Sequence, residues 1–366
     1  MKYEQKNPLP LPPIGPTETV EAMTNTTWDW QYKLDKEKLM DLYEKGKAMT
    51  WNASDLDWSL PVDIEKMSSE RAGMGSYEVV NQLLAPPHEL DAKQSIELNI
   101  NMISWMLSQF LHGEQGALVA TAKIVEEAPL AEAKFYAANQ VADEARHVEV
   151  YHRYLTEKLG RSFEVNPHLQ VLLNDIISDS RWDMTYLGMQ IMVEGLALAA
   201  FAMMKAQLPD EPLIQDITSR VMQDEARHVA FGVLSLEEIY RDELSSAELK
   251  EREDFVIEAT YLMRDRLLME QVYERMEFDV DVWTQWAIHT PFMVSFRQML
   301  FSKIVPNLKR LGLLTPRVRE EFAKIGILQF EDLKDSTQEA EVMAPAELIE
   351  LIAAINSGTG EKAAQA

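Results

Sequence analysis

The chain has 366 residues, 46% of them apolar and 26% charged, with 14 glycines and 16 prolines. That composition belongs to a globular protein and excludes disordered and collagen-like chains. Thirty-five basic against 60 acidic residues leave a net charge of −25, a surface that repels nucleic-acid phosphates and anionic lipid headgroups. The absence of cysteine excludes disulfides, thiolate zinc sites, cysteine nucleophiles and iron–sulfur clusters, so redox chemistry here needs another cofactor and electrons from another protein.

Residues 1–27 read as an extended Pro-rich arm, because Pro8, Pro10, Pro12, Pro13 and Pro16 forbid regular helix. The arm lacks the apolar run of a signal peptide. Residues 28–90 combine a helix near Asp35–Met49 with loop signals at Gly73, Gly75, Pro86 and Pro87. From Asp91 onward prolines fall only at breaks, and segments rich in Leu, Met, Ala, Ile and Glu predict helices at about 91–127, 130–159, 168–207, 212–243, 246–276 and 282–311. The third is expected to break near Ser180. The segment 91–243 forms a bundle, 244–311 its flanking helices, and 312–366 a C-terminal appendage with a polar tail, Ser357–Ala366. No alternating strand pattern occurs, so the fold class is all-α. The most apolar stretch, around Met189–Met204, is interrupted by Gln190 and Glu194 and is too polar for a membrane span. A cytoplasmic, soluble protein is expected, with neither membrane nor nucleic acid as partner.

Chemistry enters with a repeat. Residues 143–148 and 224–229 both read Asp-Glu-Ala-Arg-His-Val, 81 positions apart. Within each copy Glu and His stand three apart on one helix face, so Glu144 with His147, and Glu225 with His228, can reach a common centre. Glu114 precedes Glu144 by 30 residues and Glu194 precedes Glu225 by 31. Both lone glutamates sit in apolar stripes: Ile100, Ile103, Leu107, Phe110, Leu111, Ala117 and Leu118 on one helix, and Leu187, Ile191, Ala197, Leu198 and Phe201 on the other. A carboxylate on a core face costs several kcal/mol unless compensated. Two divalent ions (+4) against four glutamates (−4) supply that compensation, and oxygen ligands with imidazole favour iron or manganese over zinc or copper. The metal ligands are therefore expected to be Glu114, Glu144, His147, Glu194, Glu225 and His228. Asp143 is expected to accept from His228 and Asp224 from His147, with Arg146 and Arg227 holding those aspartates from one turn away.

On these residues the chain resembles the ferritin-like superfamily of di-iron carboxylate proteins, in particular the hydroxylase subunits of bacterial multicomponent monooxygenases and the small subunits of ribonucleotide reductase. The resemblance covers about residues 91–243 and implies a four-helix bundle in which Glu114, Glu144 and His147 hold one iron and Glu194, Glu225 and His228 the other, with bridging carboxylates. Three features depart from it. The first ligand, Glu114, is Glu where the reductase subunits generally carry Asp, and no tyrosine follows Tyr273. Tyr151 lies four residues after His147, where those subunits place a radical tyrosine, and is a candidate for oxidation by the site or for simple packing. Ala197 and Leu198 stand where the hydroxylases often carry a threonine.

The resemblance implies a di-iron monooxygenase that uses dioxygen as co-substrate on a hydrophobic or aromatic organic substrate. The substrate would lie against Leu107, Phe110, Leu111, Ala117, Ala197, Leu198 and Phe201. Gly113, Gly116 and Gly195 beside the lone glutamates make room for substrate or for close helix packing. Two iron ions are expected, with manganese an option in one site. Desaturase, N-oxygenase or manganese–iron oxidase chemistry on the same centre stays open, as does non-catalytic iron sequestration. An external reductase or ferredoxin, a small regulatory protein and a homodimer complete the expected partners.

Overall fold

Every regular element among the described residues of the computed structural model (18–22, 24–28, 30–71 and 85–338) is helical. Among the described residues, two helices precede the bundle, α1 (Glu37–Ala48) and α2 (Ile64–Arg71). Then come α3 (Ala92–Glu127), α4 (Ala131–Arg153), α5 (Pro167–Ser178), α6 (Trp182–Gln207) and α7 (Pro212–Glu238). The chain continues with α8 (Ser246–Asp265), α9 (Glu270–Arg275), α10 (Val280–His289), α11 (Pro291–Met299), α12 (Ile304–Arg310) and α13 (Pro316–Lys324). The bundle is α3, α4, α6 and α7: α3 packs on α4, α6 on α7, and α4 on α7. The prolines of the N-terminal arm, the glycines at 73 and 75 and the polar tail 357–366 lie outside the described residues.

Local chemistry places the helix ends. Asp91 starts α3 by accepting from Gln94 N–H at 2.8 Å, while the Gln94 amide oxygen accepts from Asp91 N–H at 3.1 Å; this reciprocal cap satisfies two otherwise unpaired donors. Glu211 caps α7 by accepting from Leu213 N–H at 3.1 Å and Ile214 N–H at 2.6 Å, and Tyr154 Oη donates to the same carboxylate at 2.8 Å. Pro167 and Pro212 occupy first-turn positions, where a missing N–H costs nothing. The break expected near Ser180 is the gap between α5 and α6.

Three differences from the sequence expectation have physical causes. The segment 246–276 is interrupted at Met269, whose φ of +60° is left-handed and cannot continue a right-handed helix. The segment 282–311 divides at Thr290–Pro291, since Pro291 has no N–H to donate backward; Pro306 survives inside α12 because it lies in the first turn, whose donors have no intrahelical acceptor. Finally, α4, α6 and α7 each contain or end in a π-helical turn: Tyr154–Leu159, Leu187–Val193 and Ile239–Glu243.

One hydrophobic cluster runs from Leu39 to Ile327, so the segments on either side of the bundle share its core. Contrary to the sequence expectation, Gln190 and Glu194 do not make α6 too polar to cross a membrane by length and hydropathy, but 94% of its most apolar window is buried inside the fold, as expected of the central rod of a helical core. Close approaches need glycine. A Cβ on Gly232 of α7 would stand 2.5 Å from Gln190 Cβ of α6, and one on Gly116 of α3 would stand 2.5 Å from Leu173 Cδ2 of α5. The approach at Gly116 corresponds to the close-packing reading of that glycine.

Candidate metal centre

The four bundle helices each deliver a buried carboxylate to one point. Glu114 comes from α3, Glu144 and His147 from α4, Glu194 from α6, and Glu225 and His228 from α7; none of the six is more than 5% exposed. Two overlapping groups have donor atoms mutually within 4.8 Å: Glu114, Glu144, His147 and Glu225, and Glu144, Glu194 and His228. Glu144 belongs to both. Glu225 also reaches both sides, with Oε1 3.2 Å from His147 Nδ1 and 3.4 Å from His228 Nδ1. Glu144 and Glu225 are thus the carboxylates placed to bridge, whereas Glu114 and Glu194 stand at opposite ends.

The histidines are oriented from outside. His147 Nε2 lies 3.1 Å from Asp224 Oδ2, and His228 Nε2 lies 3.2 Å from Asp143 Oδ2. Each aspartate therefore crosses to the histidine of the other repeat. A carboxylate can only accept, so Nε2 donates to the aspartate and Nδ1 faces inward, the nitrogen that would ligate a metal once deprotonated. His147 Nδ1 is 3.1 Å from Glu114 Oε2, and His228 Nδ1 is 3.1 Å from Glu144 Oε1. Arg146 donates to Asp143 and Arg227 to Asp224, fixing both aspartates.

Two side chains that sequence reasoning missed complete the shell. Gln140 Nε2 donates to Glu144 Oε1 and to Glu194 Oε1, each at 2.9 Å, tying a bridging carboxylate to a terminal one. Gln140 stands one turn before Glu144, so helical spacing could have flagged it. Trp51 Nε1 donates to Asp224 Oδ2 at 2.8 Å from the loop after α1, and no local pattern signals that. The matching partner of Asp143 is Asn139, at 3.3 Å. The two halves therefore differ: an indole supports one histidine's aspartate and an amide the other's.

The donor set fits a pair of transition ions. Glu144 Oε2, Glu194 Oε2, both Glu225 oxygens and His228 Nδ1 are buried with no hydrogen-bond partner among the described residues, although buried polar atoms are ordinarily paired. Burial, then repulsion from Glu225, pushes Glu114 well above the usual carboxylate range, and burial with the charges of Glu225 and Glu144 does the same to Glu194. Burial works against charging His147, yet Glu114 and the hydrogen bonds to Asp224, Glu114 and Glu144 lift it well above an ordinary histidine. His228 is lifted likewise, against burial, by Glu144 and Glu225. Burial opposes Asp224, but its bond to His147 holds it down at about 2. The metal-free site thus retains protons that cations would displace.

Tyr151 is fully buried and stacks on Phe201 at 5.9 Å between ring centroids. Phe110 meets both rings, at 5.8 Å from Tyr151 and 4.5 Å from Phe201. The expected pocket residues separate accordingly. Leu107, Phe110, Ala117, Leu198 and Phe201 are buried and Leu111 and Ala197 half-buried, with Phe110 and Phe201 forming, together with Tyr151, a closed aromatic wall beside the ligands.

Four helices bring together two single glutamates and two Glu-x-x-His pairs, the same donor arrangement that di-iron carboxylate four-helix bundles use. No family model matches the sequence, and neither does any curated protein. Among solved structures, the chain is similar to a point mutant of an R2-like ligand-binding oxidase with anaerobically reconstituted Mn/Fe cofactor, at 16% identity and TM-score 0.47, over 73% of this chain and 94% of that one. It is also similar to the dimanganese(II) NrdF of Streptococcus sanguinis, at 13% identity and TM-score 0.49, over 81% of this chain and 99% of that one.

Proposed function

We propose that the chain is a di-metal oxidase that activates dioxygen to oxidise a hydrophobic organic substrate. The observation that carries this reading is the convergence of four buried glutamates and two inward-facing Nδ1 atoms, with Glu144 Oε2, Glu194 Oε2, both Glu225 oxygens and His228 Nδ1 lacking a hydrogen-bond partner among the described residues. Glu114, Glu144, His147 and Glu225 would hold one ion and Glu144, Glu194 and His228 the other, with Glu225 also within reach of His228; two irons are the first choice, and a manganese–iron pair would satisfy the same donors. When bound, such a pair supplies two reducing equivalents and open coordination positions for dioxygen.

The protein's part is to position and insulate. Asp143 and Asp224 keep the imidazoles turned inward, and Arg146 and Arg227 keep the aspartates in place. Gln140 limits how far Glu194 can swing by holding it to Glu144. The wall of Phe110, Tyr151 and Phe201 excludes water from one side, which strengthens every electrostatic contact inside. Tyr151 acts there as packing and as a local electron reserve. Without cysteine, the chain takes its electrons from an external reductase or ferredoxin. The test loads the chain anaerobically with two ferrous ions and then admits oxygen. Rapid consumption of about one O2 per two irons, without continued iron uptake, supports the oxidase. Slow uptake of many irons per chain with mineral growth refutes it in favour of sequestration.

A further inference from the structure

A groove of about 990 Å³ runs between α1 and α7, outside the metal centre. Its charged lining is Lys38, Lys45, Lys205, Arg227 and Arg310 against one acid, Asp41. Arg227 is already paired with Asp224, and Arg310 with Glu237 and Asp335. The cations left to a visitor are Lys38 and Lys45, exposed two turns apart on one face of α1, and Lys205, which donates to Ser219 Oγ at 2.8 Å. In a chain of net charge −25, these three lysines against one acid make a local patch of positive charge. Its floor is apolar, made by Leu42, Met222, Ala226 and Ala230, with Met49 at one end 44% exposed.

The floor leads straight to the metal ligands. Arg227 Nη1 lies 3.4 Å from Met49 Sδ in the groove, and its other terminal nitrogen donates to Asp224, which bonds His147 Nε2. Two residues beyond Met49, Trp51 bonds the same aspartate and stacks near His147 at 6.3 Å. A visitor in the groove is thus one arginine and one carboxylate away from a ligand histidine.

We propose that this groove is the docking surface for a small acidic one-electron carrier protein that reduces the metal pair. The inference rests on the oxidase reading above and names the face of the chain that its electron donor uses. Each encounter oxidises the carrier by one electron and passes it inward; two encounters return two trivalent ions to the divalent state, with no bond made or broken. The lysines complement the carrier's acidic face at contact range, within about a Debye length, where they offset the repulsion of the chain's net charge and set the salt dependence, and interfaces of this kind are small, under about 1,200 Å².

The test is binding, read apart from turnover. A plant-type [2Fe–2S] ferredoxin is titrated into the full-length chain by calorimetry at low and high salt, against the triple charge reversal Lys38→Glu, Lys45→Glu, Lys205→Glu. The milder triple Lys→Gln guards against a folding defect, and circular dichroism checks both. Wild type should bind and weaken with salt. The reversal should weaken binding by about tenfold or more, with the Gln variant between. Reduction by dithionite and metal content should stay at wild-type values in both. Equal binding by all three proteins overturns the proposal, as does absence of ferredoxin binding at low salt, or a groove that takes up ATP or phosphate but not ferredoxin. Metal content is measured in the same samples, so failure of the groove and failure of the oxidase reading give different results.

Discussion

Replacing Glu194 by glutamine separates the stability of the empty bundle from its capacity for metal. The side chain is 2% exposed, its Oε1 accepts from Gln140 at 2.9 Å, and its Oε2 has no partner among the described residues. Glutamine keeps the shape and the Gln140 contact while removing an acid that burial and two neighbouring glutamates disfavour. Because its carboxyl is held well above the usual range, Glu194 costs the empty fold about 1.4 kcal/mol for each pH unit above the free carboxylate's pKa at which it stays protonated, a cost glutamine does not carry. Near neutral pH that is up to about 3 kcal/mol, or on the order of 6 °C at about 2 °C per kcal/mol for a chain of this size. Metal-free Glu194→Gln should therefore melt above metal-free wild type. Loading works in the opposite direction. At a free-metal concentration about 100 times Kd each filled site adds about 2.7 kcal/mol, so wild type gains about 5 kcal/mol from two ions and the variant about half. Differential scanning fluorimetry with and without anaerobic ferrous iron, alongside iron analysis, reads both numbers. A variant that is less stable when empty, or that gains as much as wild type on loading, would refute the reasoning.

The remaining predictions concern the same shell. In the metal-free protein the folded state holds protons on Glu114, Glu194, His147 and His228 above the pH at which the unfolded chain releases them. Stability should therefore fall as pH rises from about 5 to 8, by up to about 1.4 kcal/mol per pH unit for each group so held; melting temperature across that range checks the sign, and a rise would contradict it. Below about pH 4 the depressed Asp224 works the other way, its stabilisation being lost as the pH falls toward about 2. Asp143→Asn removes the carboxylate acceptor of His228 Nε2 and should weaken metal affinity by about 10–100-fold, measured by competition with a chelator, with little change in helix content. Gly232→Ala puts a Cβ 2.5 Å from Gln190 Cβ and should cost about 1–3 kcal/mol by urea unfolding; an unchanged midpoint would mean that α6 and α7 are less closely apposed.

The helical class and the cluster were legible because both obey a period. Glu and His three residues apart, twice, with a lone Glu some 30 residues before each pair, identify four helix faces without any tertiary information. The crossing of Asp143 and Asp224 followed from the same pseudo-symmetry. Trp51 was not legible, because it lies in a loop 173 residues from Asp224 and only packing of α1 against α4 and α7 brings it there. Nor was the π turn ending beside Glu194, since Leu187–Val193 is ordinary helix-forming sequence whose extra residue per turn is imposed by its neighbours. The break at Met269 was hidden for a related reason: no Gly or Pro marks it, and a methionine takes the left-handed position. A helix period also tells which side chains face inward but not whether they leave space, which is why Phe110 and Phe201, read as pocket lining, turn out to touch each other at 4.5 Å.

The central claim, that these six side chains hold a pair of transition ions, is tested most directly by anomalous diffraction from iron- or manganese-loaded crystals. Two peaks should lie within the ring formed by Glu114, Glu144, His147, Glu194, Glu225 and His228, both contacted by Glu144, and each liganded by a histidine Nδ1. Metal at another location, or none in this ring at saturating concentration, would contradict the account.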